Sequence, residues 1–78
     1  MVPPALLIDN FVFMPSSVVA AMHYDEHTEV LRIVYTSGAV YDYKDVPEHV
    51  YREMKTSTSK GAYLNLHIKG AYDFEHVA

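Results

Sequence analysis

The stretch from Glu29 to Tyr43 constrains the fold more than any other part of the chain. Val30, Arg32, Val34 and Thr36 fall on one side of an extended backbone, and Leu31, Ile33 and Tyr35 fall on the other. That is the period of a half-buried strand. Ser37-Gly38 follows as a hairpin signal, and Ala39 to Tyr43 reads as the returning strand. Upstream, Val18 to Tyr24 is β-rich and is separated from the alternating run by the polar turn Asp25-Glu26-His27. Three such strands make a meander, and a meander needs cover on its apolar face.

The period changes where that cover is needed. Asp45-Val46-Pro47-Glu48 reads as an Asp N-cap, a proline within the first turn and an acid in the first turn. Val50, Tyr51 and Met54 are helically spaced, with Lys55 in the last turn. Thr56 to Ser59 is a polar break, and Ser59 caps a second, short helix from Lys60 to about Lys69. In it Tyr63 pairs with His67, and Leu64 with Ile68, at i,i+4. Gly70 ends it as a C′ glycine does. Tyr72 to Val77 alternates again as a final edge strand. The order β-β-β-α-α-β predicts an α+β fold, a small antiparallel meander covered by two short helices.

Before this domain, residues 1–14 form an apolar arm, leaving 15–78 as the folded unit. Pro3-Pro4 favours an extended start, and two apolar runs follow around the turn-prone pair Asp9-Asn10. Such an arm packs on its own domain or lies across a partner subunit. A chain of 78 residues without cysteine has no disulfide or thiolate metal site to support a small core. The expectation is therefore a homo-oligomer, a dimer above all, with residues 5–14 at or near the interface.

Charge narrows the partners. The net charge is −4, against the strongly basic balance of a sequence-independent duplex DNA binder. Residues 1–50 carry a balance of −5 and residues 51–78 one of +1, with Arg52, Lys55, Lys60 and Lys69 set against Glu53 alone between positions 52 and 69. Any phosphate-facing surface belongs there. The longest uninterrupted apolar run, Val18 to Met22, holds five residues, far short of a membrane span of about 20. The expected location is cytoplasmic, with no membrane partner.

Several motifs recur in a fixed order: Ser16-Ser17, Tyr24-Asp25, Leu31-x-Ile33-x-Tyr35-x-x-Gly38, Tyr41-x-Tyr43, Val46-Pro47 and Tyr51. After them come Ser59-x-Gly61-x-Tyr63-x-Asn65-x-x-Ile68 and Tyr72-x-Phe74. Together, over about residues 15–77, they resemble the KTSC family, named for a domain at the C-terminus of some lysyl-tRNA synthetases. The family also occurs as stand-alone small bacterial or phage proteins. The resemblance implies the fold more firmly than a function. RNA binding is the usual suggestion, from attachment to a tRNA enzyme. Here Ala62, Asp73, Glu75 and His76 stand where the family often carries basic residues, and Leu64 stands for the usual Phe. Those changes remove positive charge from the segment expected to face phosphate.

The candidate site residues each have a plain alternative. Ser59, Lys60 and Gly61 open a helix and suit an anion cradle, or they are a capped helix start with a packing glycine. Tyr41 and Tyr43 share one strand face. They suit base stacking or core filling, and the expectation is one ring mainly packed and the other accessible. Asn65 reads a base or ribose edge, or it hydrogen-bonds a neighbouring loop. His23 and His27 have an i,i+4 spacing that suits zinc only on a helix, and they flank a turn. No metal or cofactor is expected. No nucleophile–base pair stands out, so the chain reads as a non-enzyme. The leading reading is a binding module for a nucleotide or short single-stranded RNA, able to act by sequestration. The alternatives are a protein-interaction module and, more distantly, a small phosphoesterase.

Overall fold

The computed structural model describes residues 12–13 and 18–78. The strands are β1 (Val12–Phe13), β2 (Val19–Asp25), β3 (Val30–Tyr35), β4 (Val40–Tyr43) and β5 (Phe74–His76). Between β4 and β5 lie helix α1 (Glu48–Thr56) and helix α2 (Lys60–Tyr63), which runs on into a π-helical turn over Leu64–Ile68. The strands form one sheet in the order β1-β2-β3-β4-β5, and every neighbouring pair is antiparallel. The expected α+β order is present. The addition is β1, whose Val12 and Phe13 pair with Met22 and Ala21. The expectation placing arm residues 5–14 at a subunit interface otherwise lies outside the described residues.

Register decides which side chains meet. Met22, Ile33, Tyr41 and His76 stand opposite one another across four strands, and so do Tyr24, Leu31, Tyr43 and Phe74. Both rows occupy one face because residues two apart on a strand share a face. The helices cover that face. Val50 and Met54, one turn apart on α1, are buried against it with Leu64, Ile68 and Val46. Between these rows, on the opposite face, runs a polar row of His23, Arg32, Asp42 and Glu75. In it the Arg32 guanidinium grips the Asp42 carboxylate through two hydrogen bonds of 2.7 and 3.0 Å. The sheet is thus apolar and aromatic under the helices, while its other face sets this charged row beside an apolar row of Ala21, Val34 and Val40.

The turns follow local chemistry. The β3–β4 hairpin closes with the Gly38 amide donating to the Tyr35 carbonyl at 2.9 Å, at a φ of 95° that a glycine adopts without steric cost. At the β2–β3 turn the Asp25 carboxylate accepts from the His27 amide at 2.9 Å. That backbone bond holds its carboxyl below the ordinary range.

One capping expectation is corrected. Pro47, not Asp45, stands at the N-cap of α1, and no side chain caps it. Tertiary bonds fix this connection instead: the Val46 amide donates to the Glu29 carbonyl at 2.8 Å, and the Tyr24 hydroxyl donates to the Val46 carbonyl at 2.6 Å. Asp45 is left in the left-handed region at φ 57°, where it cannot serve as an extended N-cap. The second helix starts as expected, with the Ser59 hydroxyl oxygen accepting from the Ala62 amide at 3.2 Å.

Leu64 and Ile33 are both fully buried, so truncation should act through lost packing. Leu64→Ala should cost about 2–5 kcal/mol, and Ile33→Val about 0.5–1.5 kcal/mol. Urea unfolding followed by far-UV circular dichroism measures both. Equal, small losses would show that the helix–sheet interface is not the core.

Candidate functional site

The two aromatic rows are covered at one end only. Met22, Leu31 and Ile33 lie beneath the helices, fully buried. Toward β4 and β5 the rows pass out from under them, and Phe74 is 58% exposed. A cleft of about 390 Å³ opens there, with Tyr35, Tyr41, Tyr43 and Phe74 on the sheet side and Lys69 and Gly70 at the end of the second helix. That volume falls at the small-ligand end of the range for pockets.

The rings hold one another in place. Tyr41 meets Tyr35 edge-on at 5.5 Å between centroids, lies near-parallel to Tyr43 at 6.2 Å and stacks on the His76 imidazole at 4.4 Å. Phe74 contacts both Tyr41 and Tyr43. Tyr43 is buried, with 3% of its surface exposed. Its hydroxyl is 2.7 Å from that of Tyr35. Burial pushes both phenols above the ordinary tyrosine range, and for Tyr35 the bond to Tyr43 adds to the rise. One of the two hydroxyls accepts in this bond, and the pair keeps one hydrogen to donate elsewhere. Tyr41 is half-buried and lines the cleft.

Lys69 is placed by backbone geometry. Its amide donates to the Leu64 carbonyl at 2.8 Å, closing the π turn. Gly70 follows at φ 79°, a left-handed conformation that ends the helix. The Lys69 ammonium then sits 5.4 Å from the centroid of the Tyr35 ring, within cation–π range. Glu75 does not reach this side. Its register partner is Asp42, on the charged face, so the acidic residue in the terminal strand leaves the cleft's charge untouched.

The structure brings Tyr41 and Tyr43 together but sets the other candidates elsewhere. Ser59, Lys60, Gly61 and Asn65 do not line the cleft; the far end of their helix does. The Ser59 hydroxyl oxygen serves as the helix cap. The Lys60 ammonium donates to the Ser57 carbonyl. Gly61 packs on β2's approach, where an added Cβ would come within 3.3 Å of Val18 Cγ2. Asn65 is exposed. Tyr35, Lys69, Phe74 and His76 belong to the cleft and its ring cluster although none of them is a candidate site residue on sequence alone. Alternation carried to the end of the chain would have placed Tyr35, Phe74 and His76 on the Tyr41 face.

A second groove of about 520 Å³ lies between the β2–β3 turn and α1, lined by His23, His27 and Tyr51 among others. There Tyr24 stacks on Tyr51 at 5.1 Å, and the lining is acidic on balance, with Asp25, Glu26 and Glu48 against Arg52 and Lys55, which disfavours an anionic ligand. Among the described residues, no group of three or more His, Asp or Glu is placed to hold a metal ion.

A sequence model of the KTSC domain matches residues 15–72. The chain is 37% identical over 62 residues to a lysine–tRNA ligase of Nostoc punctiforme, covering 80% of this chain and 11% of that ligase. It is 34% identical over 50 residues to a protein of Tsukamurella paurometabola, covering 64% of this chain and 75% of the other. The chain thus spans about one-tenth of the length of the ligases it is similar to. Among solved structures, a KTSC domain protein from Yersinia pestis superposes with a TM-score of 0.84 at 25% identity, covering 87% of this chain and 96% of that one.

The burial difference between the two central tyrosines is directly measurable. Tyr43→Ala should cost about 3–5 kcal/mol of stability, by analogy with buried phenylalanine truncation. Tyr41→Ala should cost roughly 1–2 kcal/mol. Equal losses in urea unfolding would make Tyr41 a core residue and leave the cleft without an accessible ring.

Proposed function

The chain belongs to the KTSC domain family, and we propose that it is a non-catalytic binding module whose aromatic cleft takes a nucleotide-type ligand or one nucleotide of a short single-stranded RNA. The observation that carries this reading is Tyr41, a half-buried ring held in the floor of an open cleft beside the exposed ring of Phe74. Fixed aromatic surface at an opening gives a planar base something to stack on without ordering new side chains.

Three further features support it. The lining hydroxyls of Tyr35 and Tyr43 lie 2.7 Å apart, which leaves one hydrogen of the pair to donate to a ligand. A lysine stands at the rim. The relatives include lysine–tRNA ligases, whose name associates this domain with proteins that handle RNA. Binding without turnover would make the module a holder of its ligand, and so capable of sequestering it.

A second reading rests on β5. It is an edge strand, and Phe74 lies exposed on it. The same aromatic floor would then meet protein, a second copy of the chain first of all.

Amide chemical shifts separate the two readings. Titration with AMP, UMP or a short oligouridine should move the signals of residues 35, 41, 43, 69, 70 and 74. Tyr41→Ala should weaken binding by about 1–3 kcal/mol while the remaining spectrum stays dispersed. No shift at millimolar nucleotide, together with a mass that rises with concentration by light scattering, would favour the protein-contact reading instead.

A further inference from the structure

A cation adjoins the stacking ring of the aromatic cleft, and we propose that the cleft selects a phosphorylated ring, holding the phosphate on Lys69 and the base against Tyr41. This deepens the nucleotide reading and rests on it. Among the described residues, Lys69 is the only charged one that lines the cleft. Among the described residues no carboxylate lies in ion-pair contact with it, whereas Arg32 is bound to Asp42 and Arg52 to Glu48. Its ammonium is held over the Tyr35 ring, which leaves its hydrogens free for an acceptor.

The other polar groups agree. The Tyr35 and Tyr43 hydroxyls share one hydrogen bond, so one phenolic hydrogen of the pair remains to be donated. Ser37 accepts from the Ala39 amide at 3.4 Å, and its own hydrogen is likewise available. Among the described residues no carboxylate side chain lines the space. Glu75 faces the Asp42 side of the sheet. Phosphate oxygens accept from an ammonium with charge assistance and from hydroxyls beside it.

Lys69 and Tyr41 also have a common neighbour. Tyr35 carries the ammonium at 5.4 Å and meets the Tyr41 ring at 5.5 Å. The anion site and the stacking site therefore adjoin, as base and phosphate do within one nucleotide. The position of Lys69 depends on the π turn and on the left-handed Gly70, not on its own side-chain packing, so substitution of its side chain should leave the fold intact.

The test uses matched probes on the whole chain: adenosine against AMP, and uridine against UMP, each titrated by amide chemical shift. Wild type should bind each nucleotide at least about fivefold more tightly than its nucleoside, the worth of one partly exposed charged contact. Lys69→Gln should remove that difference by weakening each nucleotide more than its nucleoside, and Lys69→Arg should retain it. Equal affinities in wild type would overturn the phosphate assignment and leave base stacking in place. A Lys69→Gln variant that weakens both ligands equally would also overturn it. Absence of binding by all four probes would remove the nucleotide reading itself, and this inference with it.

Discussion

The antiparallel pairing of Leu31 with Tyr43, and of Ile33 with Tyr41, is the constraint on which the rest of the molecule depends. Once these two pairs are set, alternation assigns every other side chain of the sheet to a face. A slip of one residue would exchange the faces. It would carry Arg32 and Asp42 beneath the helices and turn the tyrosines out to solvent. The cost of an ion pair buried there without compensating bonds makes the observed register strongly preferred. The Arg32–Asp42 bridge on the outer face is a weak source of stability by itself, but it is available only in this register.

The helices are too short to cover what the sheet presents. Val50 and Met54 on α1, with Leu64 and Ile68 on the second helix, bury the β2–β3 side. β4 and β5 extend past them. In a small domain that mismatch leaves aromatic surface open, and here it produces the cleft. Core and site are consequently continuous: Leu31, Tyr43 and Phe74 belong to one row that passes from full burial to exposure. No separate scaffold holds the accessible rings. The packing that stabilises the fold also fixes them.

Much of this was legible in the chain because it is local. The alternation from Val30 to Tyr35, the hairpin at Gly38, the Ser59 cap and the Leu64–Ile68 spacing are read from neighbours a few residues apart, and the family motifs run in the same order. The misplaced α1 cap is a tertiary matter, since the bonds from Tyr24 and to Glu29 that hold Val46 come from strands some twenty residues upstream. The candidate site was legible in part. Tyr41 and Tyr43 share a face by period alone. That the second helix lays its C-terminal end over them, rather than its entrance, depends on packing no local signal reports. Charge counted by segment misled for the same reason. Glu75 and His76 are adjacent in sequence, yet they lie on opposite faces of the sheet.

The π turn at Leu64–Ile68 makes the cleft tolerant of a change in length. A π turn holds one more residue than the α-helical turn it replaces. The Lys69 amide closes on the Leu64 carbonyl five residues back, where an α turn would close four residues back. Loss of a single residue within the turn would let Lys69 take the same carbonyl in α geometry, close to its present place beside Tyr35, while the strands and α1 remained as they are. The extra residue is thus absorbed locally instead of being passed on as a rotation of everything after it. Related chains one residue shorter between the Ser59 cap and Gly70 should therefore keep both the architecture and the cation over the aromatic floor.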